Sequence, residues 1–543
     1  MVYTCGMKKK YLWISLIVTG ATALCGCRFF DIISISGEGT SSSSQQEISV
    51  SGDGSKDKQT LMYTLKDYTE NSIYSISSTP TLGNPKLLVI PVLFTDSVDF
   101  IPSSKLEEYR LMLEKAIFGT KEETGWHSVK TYYEEESLGK CLIDGMVSDW
   151  YQSTMAYDVV TNNNTTSTLV KNAVDDWKNK NKDLVEEYDS DVDGFLDGVI
   201  IVYGGPNYKN VDTKHGSRHK KYDNMWAYTG WTDNKKDVEN PAVKNYIWAS
   251  YDFMLNDLTN VNIDTHTYIH ETGHLFGLDD YYDYNDGDNR WAGAFSMQDY
   301  NVGGHDPYSM LLYGWTDPYV PTESCTIEIN PFVTSKDLIL LTPQYTASPF
   351  DEYLLIELYT PTGVNELDAY HAYSGNYPTG LTSSGIRLWH IDSRLLDVTK
   401  ATSKKYDEQD GGSGYTLYTN YTVTTNIESN KRYVVGPTNT QFTNGGTNNG
   451  YSTTAADFRQ FRLIELIRRN DYAGFKRGDV VKNDHLFKTG DTFNINNYSN
   501  YFVQDSSSIL YSSSTLNSGL EFPWTISFDK VTTEKATITL TKK

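Results

Sequence analysis

Apolar runs of strand length alternate with helical patterns along the first 318 residues. Residues 86–94 (KLLVIPVLF) and 198–205 (GVIIVYGG) are almost continuously apolar, which predicts two buried strands. Apolar and polar positions alternate over residues 140–151, which predicts a third strand. The long polar stretch that follows residue 205 is predicted to be a loop to about residue 240.

Three helices are predicted around these strands. The first opens at a capping box from Ser104 to Glu107 and ends near Phe118. The second covers residues 168–184, and the third covers residues 264–276. The buried face of the second helix is expected to carry Leu169, Ala173 and Trp177. Strands and helices in this order predict a mixed α+β domain over residues 61–318.

From residue 319 the pattern changes to short alternating runs between clusters of Gly, Asn, Ser and Thr. The runs include CTIEI, LILLTP, EYLLIELY, GIRLWHID, YVVGP and ATITLTKK. Short strands at such spacing predict an all-β, sandwich-like domain over residues 319–543. The Asn/Gly/Thr-rich residues 443–457 are predicted to form a long loop within it.

The N-terminal 27 residues have the pattern of a targeting segment. Three lysines precede an apolar stretch, residues 11–24, that is too short to span a bilayer. It ends in LCGC, which resembles a bacterial lipobox with Cys27 as the lipidated residue. A plain secretory signal is the alternative. A Ser/Gly-rich flexible linker is predicted over residues 28–60. The chain is therefore expected outside the cytoplasm, lipid-anchored at a bacterial cell surface.

Composition narrows the classes of partner. The 543 residues carry a net charge of -23, which argues against nucleic acid. The mean hydropathy of -0.49 excludes a polytopic membrane protein, so contact with the membrane is expected through the lipid anchor only. We expect a monomer. Beyond the targeting segment only Cys141 and Cys325 remain, either as one disulfide or as two buried free thiols.

The motif HETGH begins at His270 and has the spacing of a zinc-binding helix. Residues four apart lie on one helical face, so His270 and His274 can direct their imidazoles at one ion. Glu271 is placed to accept a proton from water as a general base. The alternative is an ordinary helix with two coincidental histidines.

The residues after this motif supply a third ligand. Gly277 provides the positive φ needed for the chain to turn back, and Asp280 follows three residues later. HExxHxxGxxD therefore predicts a site with three protein ligands and an open position. Asp280 fits the spacing best, and the competing ligands are Asp279, Asp283 and, more distantly, His305.

A methionine follows in a segment rich in Gly, Ser and Asn. Some zinc peptidases place a methionine in a tight turn beneath the metal. Met297, in AFSMQDYN, fits that position. Gap-filling in an apolar core is the alternative role for a single methionine.

An acidic loop has the spacing of a calcium site. Asp189, Asp191, Asp193 and Asp197 occupy positions 1, 3, 5 and 9 of a calcium-binding loop, with glycine at position 6. Position 12 is Ile200 instead of glutamate, so a complete EF-hand is excluded. Four aspartates so close together repel each other, which favours structural Ca²⁺ over a solvated acidic turn.

With these motifs the sequence resembles the immune inhibitor A family of bacterial zinc metallopeptidases. Similar blocks include GNPKLLVIPVLFTD, the Asp-rich loop into DGVIIVYGG, HETGHLFGLDDYYDY and AFSMQDYNVGGHDPYSMLLYGW. The resemblance implies a metzincin-like catalytic domain. By position it assigns zinc ligation to His270, His274 and Asp280, the general base to Glu271 and the Met-turn to Met297. It also supports calcium in the acidic loop.

Three functions follow from these patterns. The first is a cell-surface zinc endopeptidase that hydrolyses peptide bonds of extracellular proteins, with Zn²⁺ as catalytic and Ca²⁺ as structural cofactor. The second is a surface-binding or adhesin lipoprotein with a non-catalytic metallopeptidase-like domain. The third is a structural calcium protein with a fortuitous helix. A degenerate catalytic domain is expected to lose Glu271 or a histidine, and the sequence retains all of them.

Overall fold

The fold is known from a computed structural model. It describes residues 58–73, 76–160, 163–210, 225–256, 261–282, 291–299, 301–371, 373, 380–406, 415–436, 462–474, 480–502 and 513–543. These residues belong to one compact unit, Ile48–Lys543. The predicted signal peptide, Cys27, most of the linker and the predicted loop at 443–457 lie outside the described residues. Within the described part, no helix is both long and apolar enough to cross a bilayer.

A mixed sheet forms the centre of the first half. Its strands are β1 (Lys86–Leu93), β2 (Asp144–Val147), β3 (Tyr151–Gln152), β4 (Gly198–Tyr203), β5 (Tyr228–Trp231) and β6 (Asn245–Ser250). The order is β2-β1-β4-β6-β5, with β3 also paired to β1. All pairs are parallel except β5 with β6, which is antiparallel. The wholly buried β4 and β6 form its interior, as expected for parallel strands covered on both faces.

Two strand predictions need correction. The predicted strand at 140–151 is two short strands, β2 and β3, which pair with different parts of β1. Part of the predicted loop after residue 205 is strand β5. Its four residues, YTGW, are too few for a period of two to be recognised, and pairing with β6 decides their structure.

Helices surround this sheet and continue into the second half. They are α1 (Leu65–Asn71), α2 (Leu106–Phe118), α3 (Lys121–Thr124), α4 (Val129–Glu136), α5 (Asn163–Lys180), α6 (His266–Leu275), α7 (Pro307–Leu312), α8 (Phe332–Ser335) and α9 (Glu366–Tyr370). The predicted buried face of α5 is confirmed at Leu169, Ala173 and Trp177.

The capping box predicted at Ser104 is wrong. Residues Ser103–Lys105 form a 3₁₀ turn after Pro102, so α2 begins later and its N-cap is Lys105, which makes no side-chain cap. Pro102 has a fixed φ and begins a 3₁₀ turn that includes Ser104. Ser104 therefore lies inside this turn and is not the N-cap of α2.

The second half is built mainly of antiparallel sheets. Its strands are β7 (Cys325–Ile329), β8 (Ile339–Leu341), β9 (Glu352–Tyr359), β10 (Gly385–Asp392), β11 (Leu395–Asp397), β12 (Thr402–Tyr406), β13 (Tyr415–Thr419), β14 (Thr422–Thr424), β15 (Tyr433–Val435), β16 (Ile464–Ile467), β17 (Thr492–Asn494), β18 (Trp524–Val531) and β19 (Ala536–Lys542). They form sheets β16-β10-β9-β8, β17-β18-β19-β7, β14-β11-β15 and β12-β13.

The two halves share apolar packing. One core contains Tyr268 and Ile269 of α6 together with Leu355 of β9 and Trp389 of β10. A second core joins the two four-stranded antiparallel sheets of the second half. The mixed α+β architecture agrees with the prediction, whereas a separate all-β domain with a boundary at 318/319 stays a prediction.

The two cysteines of the described chain are free. Cys141 and Cys325 are both buried and form no disulfide. Burial raises the pKa of the Cys141 thiol to about 12, which keeps it protonated and unreactive near neutral pH. Of the two alternatives, the structure therefore shows two buried thiols.

Candidate metal centre

Helix α6 presents two histidines from consecutive turns on one face. The Nε2 atoms of His270 and His274 lie 3.2 Å apart, and their rings are nearly perpendicular. The helix packs against β5 and β6, so one side is buried and the imidazoles occupy its accessible side. Two imidazole nitrogens directed at one point form the beginning of a metal site.

The end of α6 turns the chain back toward these histidines. Gly277 has a φ of +110°, which confirms the predicted left-handed turn. Its N–H donates to the carbonyl of His274 at 2.9 Å, and Leu278 N–H donates to the carbonyl of Gly273 at 3.1 Å. This pair of bonds is a Schellman motif, and it directs the next residues, including Asp280, back over the helix.

The carboxylate of Asp280 completes a three-atom cluster. Its Oδ1 lies 3.0 Å from His270 Nε2 and 3.1 Å from His274 Nε2. Ligand atoms on a tetrahedral zinc ion with bonds near 2.0–2.1 Å lie about 3.3 Å apart. The cluster therefore has the size and the N₂O donor set of a zinc site, and the three residues fit the ion.

The other nitrogen of each ring is held by a backbone carbonyl. His270 Nδ1 lies 2.7 Å from the carbonyl oxygen of Met297, and His274 Nδ1 lies 2.8 Å from that of Leu278. A carbonyl only accepts, so each Nδ1 carries the proton and donates it. Each Nε2 then has a free lone pair for a metal ion, as is typical of zinc-binding histidines whose other nitrogen donates to a backbone carbonyl.

The three side chains are also electrostatically matched. When the histidines also carry a proton on Nε2, their positive charge and hydrogen bonds hold the pKa of Asp280 well below its usual range, although burial alone would raise it. Against the opposing effect of burial, the same carboxylate raises the pKa of His274 to about 10. The pocket thus stabilises positive charge between its three side chains.

The other candidate third ligands lie elsewhere or outside the described residues. The side chain of Asp279 is exposed, whereas Asp280 is buried. His305 lies in a different buried cluster, where its Nδ1 is 3.1 Å from the hydroxyl of Tyr132. Asp283 falls outside the described residues. Of the described candidates, Asp280 joins the two histidines.

Glu271 is buried beside this cluster and contacts the edge strand. The hydroxyl of Thr229, on β5, lies 3.2 Å from the carbonyl oxygen of Glu271 and 3.4 Å from its Oε2. Burial raises the pKa of Glu271. Sequence reasoning missed Thr229, because its strand was predicted as loop and no local signal marks it.

Met297 lies in a tight turn next to the first histidine. Asp299 N–H donates to the carbonyl of Ser296 at 2.8 Å, which closes a four-residue turn with Met297 at its second position. The methionine side chain is fully buried, and its carbonyl accepts from His270. The structure therefore places Met297 where a Met-turn was predicted.

The acidic loop gathers three of its four predicted aspartates. Carboxylate oxygens of Asp189, Asp191 and Asp197 lie within 4.8 Å of one another, and Asp193 lies outside this group. Asp193 instead accepts from the N–H of Phe195 at 2.9 Å.

Among the described residues, few cationic side chains contact the acidic loop. Lys66 of α1 pairs with Asp191. Burial, with Asp191 adding to it, raises the pKa of Asp193 to about 6 and that of Asp197 to about 7. The carboxylates of Asp189 and Asp197 each accept from two backbone N–H groups, so they are held in place within the loop.

Comparison with known protein families gives a match that covers these residues. Residues 100–300 match the family model described as immune inhibitor A peptidase M6, catalytic domain. This range contains the acidic loop, His270, Glu271, His274, Asp280 and Met297. No curated protein matches the chain. The predicted resemblance to the immune inhibitor A family is confirmed over these residues.

Proposed function

We propose that the chain is a zinc-dependent endopeptidase that cleaves extracellular proteins. The observation that carries the proposal is the cluster of His270 Nε2, His274 Nε2 and Asp280 Oδ1, three atoms 3.0–3.2 Å apart. The two histidines lie on the helix that also holds Glu271, and Asp280 lies in the turn that follows it. The donor set and spacing favour zinc, and a family of peptidases matches the same residues.

The residues of this cluster, Glu271 and Thr229 have separate roles in peptide hydrolysis. Zinc bound by His270, His274 and Asp280 supplies Lewis acidity toward water and the scissile carbonyl. Glu271 accepts the proton of the attacking water on its carboxylate and delivers it to the leaving amine. The single hydroxyl proton of Thr229, on β5, lies within reach of the backbone carbonyl and the carboxylate of Glu271, so Thr229 limits the positions that this carboxylate can take.

Strand β5 supports an extended peptide as the substrate. It pairs with β6 on one side and is the edge of the sheet in the described chain. It lies directly beside Glu271, and the ring of Trp231 at its end is 57 % exposed. A peptide that adds to such an edge is held by its backbone, so the cleaved bond can lie anywhere along a chain.

Replacement of Glu271 by glutamine tests the function. The variant keeps the size of the side chain but cannot accept the proton, so casein cleavage should fall by about 10²–10⁴-fold. Zinc content and the circular dichroism spectrum should match those of the parent protein. Casein cleavage at the parent rate by a pure Glu271→Gln preparation contradicts the assignment.

We also propose that the acidic loop binds one structural Ca²⁺ through Asp189, Asp191 and Asp197. Support comes from the convergence of the three carboxylates and from the raised pKa of Asp197. Millimolar CaCl₂ should raise the melting temperature of the parent protein, and Asp189→Asn should reduce that increase. An equal increase with MgCl₂, or in the variant, argues against a specific calcium site.

A lipid anchor at Cys27 is proposed from the LCGC sequence and the Ser/Gly-rich stretch that follows it. Two or more acyl chains give stable membrane attachment. In bacterial cells the parent chain should incorporate labelled palmitate and sediment with membranes, and Cys27→Ser should do neither. Absence of label from both chains would favour a plain secretory signal, and equal labelling of both would place the acyl chains on a residue other than Cys27.

A further inference from the structure

A buried network around Asp306 connects the turn of Asp280 with the turn of Met297. Asp306 is the N-cap of α7, where its Oδ1 accepts from the Ser309 N–H at 2.9 Å. Its Oδ2 accepts from two hydroxyls, Ser309 Oγ at 2.8 Å and Ser296 Oγ at 2.7 Å. All three side chains are fully buried, so hydrogen bonds to this carboxylate meet no competition from bulk water.

The first arm of the network leads to Asp280. The hydroxyl of Ser309 has one proton, which it donates to Asp306. At the 2.8 Å contact between Ser309 Oγ and the hydroxyl of Tyr281, the phenol is therefore the donor. Tyr281 directly follows Asp280, and its backbone N–H donates to the carbonyl of Gln298 at 2.7 Å. The residue next to the third ligand is thus held at both ends.

The second arm leads to His270. Ser296 opens the tight turn that contains Met297, and its hydroxyl accepts from the Gln298 N–H at 3.3 Å. The next residue, Met297, supplies the carbonyl that accepts from His270 Nδ1 at 2.7 Å. The carboxylate of Asp306 is therefore linked through Ser309 to Tyr281, the residue after Asp280. It is also linked to Ser296, the residue before Met297, whose carbonyl orients His270.

We propose that Asp306 is a positioning residue for the metal centre. Its Oδ2 sets the separation of the two turns, and through them the separation of Asp280 Oδ1 from His270 Nε2, which is 3.0 Å. The inference rests on the proposed function, because it requires the three clustered side chains to bind zinc. Neither the sequence motif nor the ligand geometry alone assigns this role to a residue 26 positions beyond Asp280.

Asp306→Asn separates this role from helix capping. Asparagine caps a helix as well as aspartate, so the bond from Ser309 N–H can remain. The second oxygen becomes a neutral NH₂ group, which can only donate, so the two serine hydroxyls must reverse their direction and both arms lose their charge-assisted hydrogen bonds. Zinc affinity, measured by chelator competition, should fall by about tenfold or more. The visible spectrum of the Co²⁺-substituted protein should also change, while the near-UV circular dichroism is retained.

Tyr359→Phe is the matched control. This substitution removes the buried hydroxyl of Tyr359, which donates to the carbonyl of Leu381 at 2.7 Å and lies outside the Asp306 network. Its zinc affinity and Co²⁺ spectrum should match those of the parent protein. If it weakens zinc binding as much as Asp306→Asn does, the effect is general destabilisation and the inference is wrong.

Single-hydroxyl variants keep the test decisive if Asp306→Asn does not fold. Tyr281→Phe and Ser296→Ala each break one arm, so each should weaken zinc binding severalfold. Because either break uncouples the two turns, the double variant should lose less than the product of the single losses. Parent-like zinc affinity in both single variants overturns the inference alone. A parent protein that binds no zinc overturns the proposed function and the inference together.

Discussion

At the scale of single residues, burial distinguishes two adjacent aspartates. Asp280 is buried and lies 3.0 and 3.1 Å from the two histidine nitrogens. Asp279 has an exposed side chain. Their chemistry is identical, so the turn after α6 alone decides which carboxylate faces the imidazoles.

The two aspartates give a matched pair of variants. Asp280→Asn should weaken zinc binding by at least about 10-fold, because a neutral amide replaces an anionic ligand. Asp279→Asn changes the same atoms one residue earlier but removes only a carboxylate outside the cluster that interacts with His274 through its charge, so it should reduce zinc affinity far less. Chelator competition measures both. Equal losses would mean that the third ligand is not Asp280, and a larger loss for Asp279→Asn would reverse the assignment.

Local spacing predicted the three residues that cluster in the structure, and tertiary contacts supplied the rest. His270, His274 and Asp280 lie within eleven residues, so helix geometry and one turn bring them together. Thr229 lies 42 residues before Glu271 and contacts it only because β5 pairs with β6. No pattern of period two or 3.6 encodes such a contact, so it required the structure.

At the scale of elements, the Schellman turn links the histidine helix to the third ligand. Gly277 has a φ of +110°, and a Cβ atom added there would lie 2.7 Å from Thr69 Cγ2 of α1. Only glycine therefore fits both the positive φ at position 277 and the space beside Thr69. The turn is also held by Ser77, whose hydroxyl donates to the carbonyl of Leu275 at 2.8 Å.

Alanine at Gly277 should disturb both stability and metal binding. A left-handed backbone costs a residue with a Cβ about 1–2 kcal/mol, and the clash with Thr69 adds to this. Gly490→Ala is the control, because its φ is +86° and nothing lies within 4 Å of the added Cβ. Thermal unfolding and zinc titration should show a larger loss of stability at Gly277 and weaker zinc binding there only. Equal zinc affinity in the two variants would contradict this account.

At the scale of the whole molecule, a buried ion pair joins the two halves. Glu136, at the end of α4, lies 3.3 Å from Lys336 Nζ, and its Oε2 accepts from the His305 N–H at 2.9 Å. Burial alone would raise the pKa of Glu136, but the Lys336 ammonium and the hydrogen bonds from His305 lower it to about 2. Loss of this charge would leave Lys336 buried without its anionic partner.

The pH dependence of this pair has a definite sign. A carboxyl with a lowered folded-state pKa stabilises the protein above its unfolded pKa, near 4.5, and loses that contribution as the pH falls toward 2. Glu136→Gln should therefore cost about 3–5 kcal/mol at pH 7 and progressively less below pH 4.5. Urea denaturation at several pH values measures the difference.

Glu135→Gln provides the comparison on the same helix. Glu135 pairs with Lys121 near the surface, and such pairs contribute about 0–1 kcal/mol. Its substitution should change stability little at any pH. A cost at Glu136 that is equally small, or that does not shrink at acid pH, would show that the buried pair does not stabilise the junction of the two halves.

Reconstitution with zinc tests the central claim most directly. The purified protein should contain about one zinc per chain. Casein cleavage should stop when a chelator removes the metal and return in proportion to added Zn²⁺, with full activity at one equivalent. Metal-free, folded protein that cleaves casein at the original rate would contradict the assignment of a zinc peptidase.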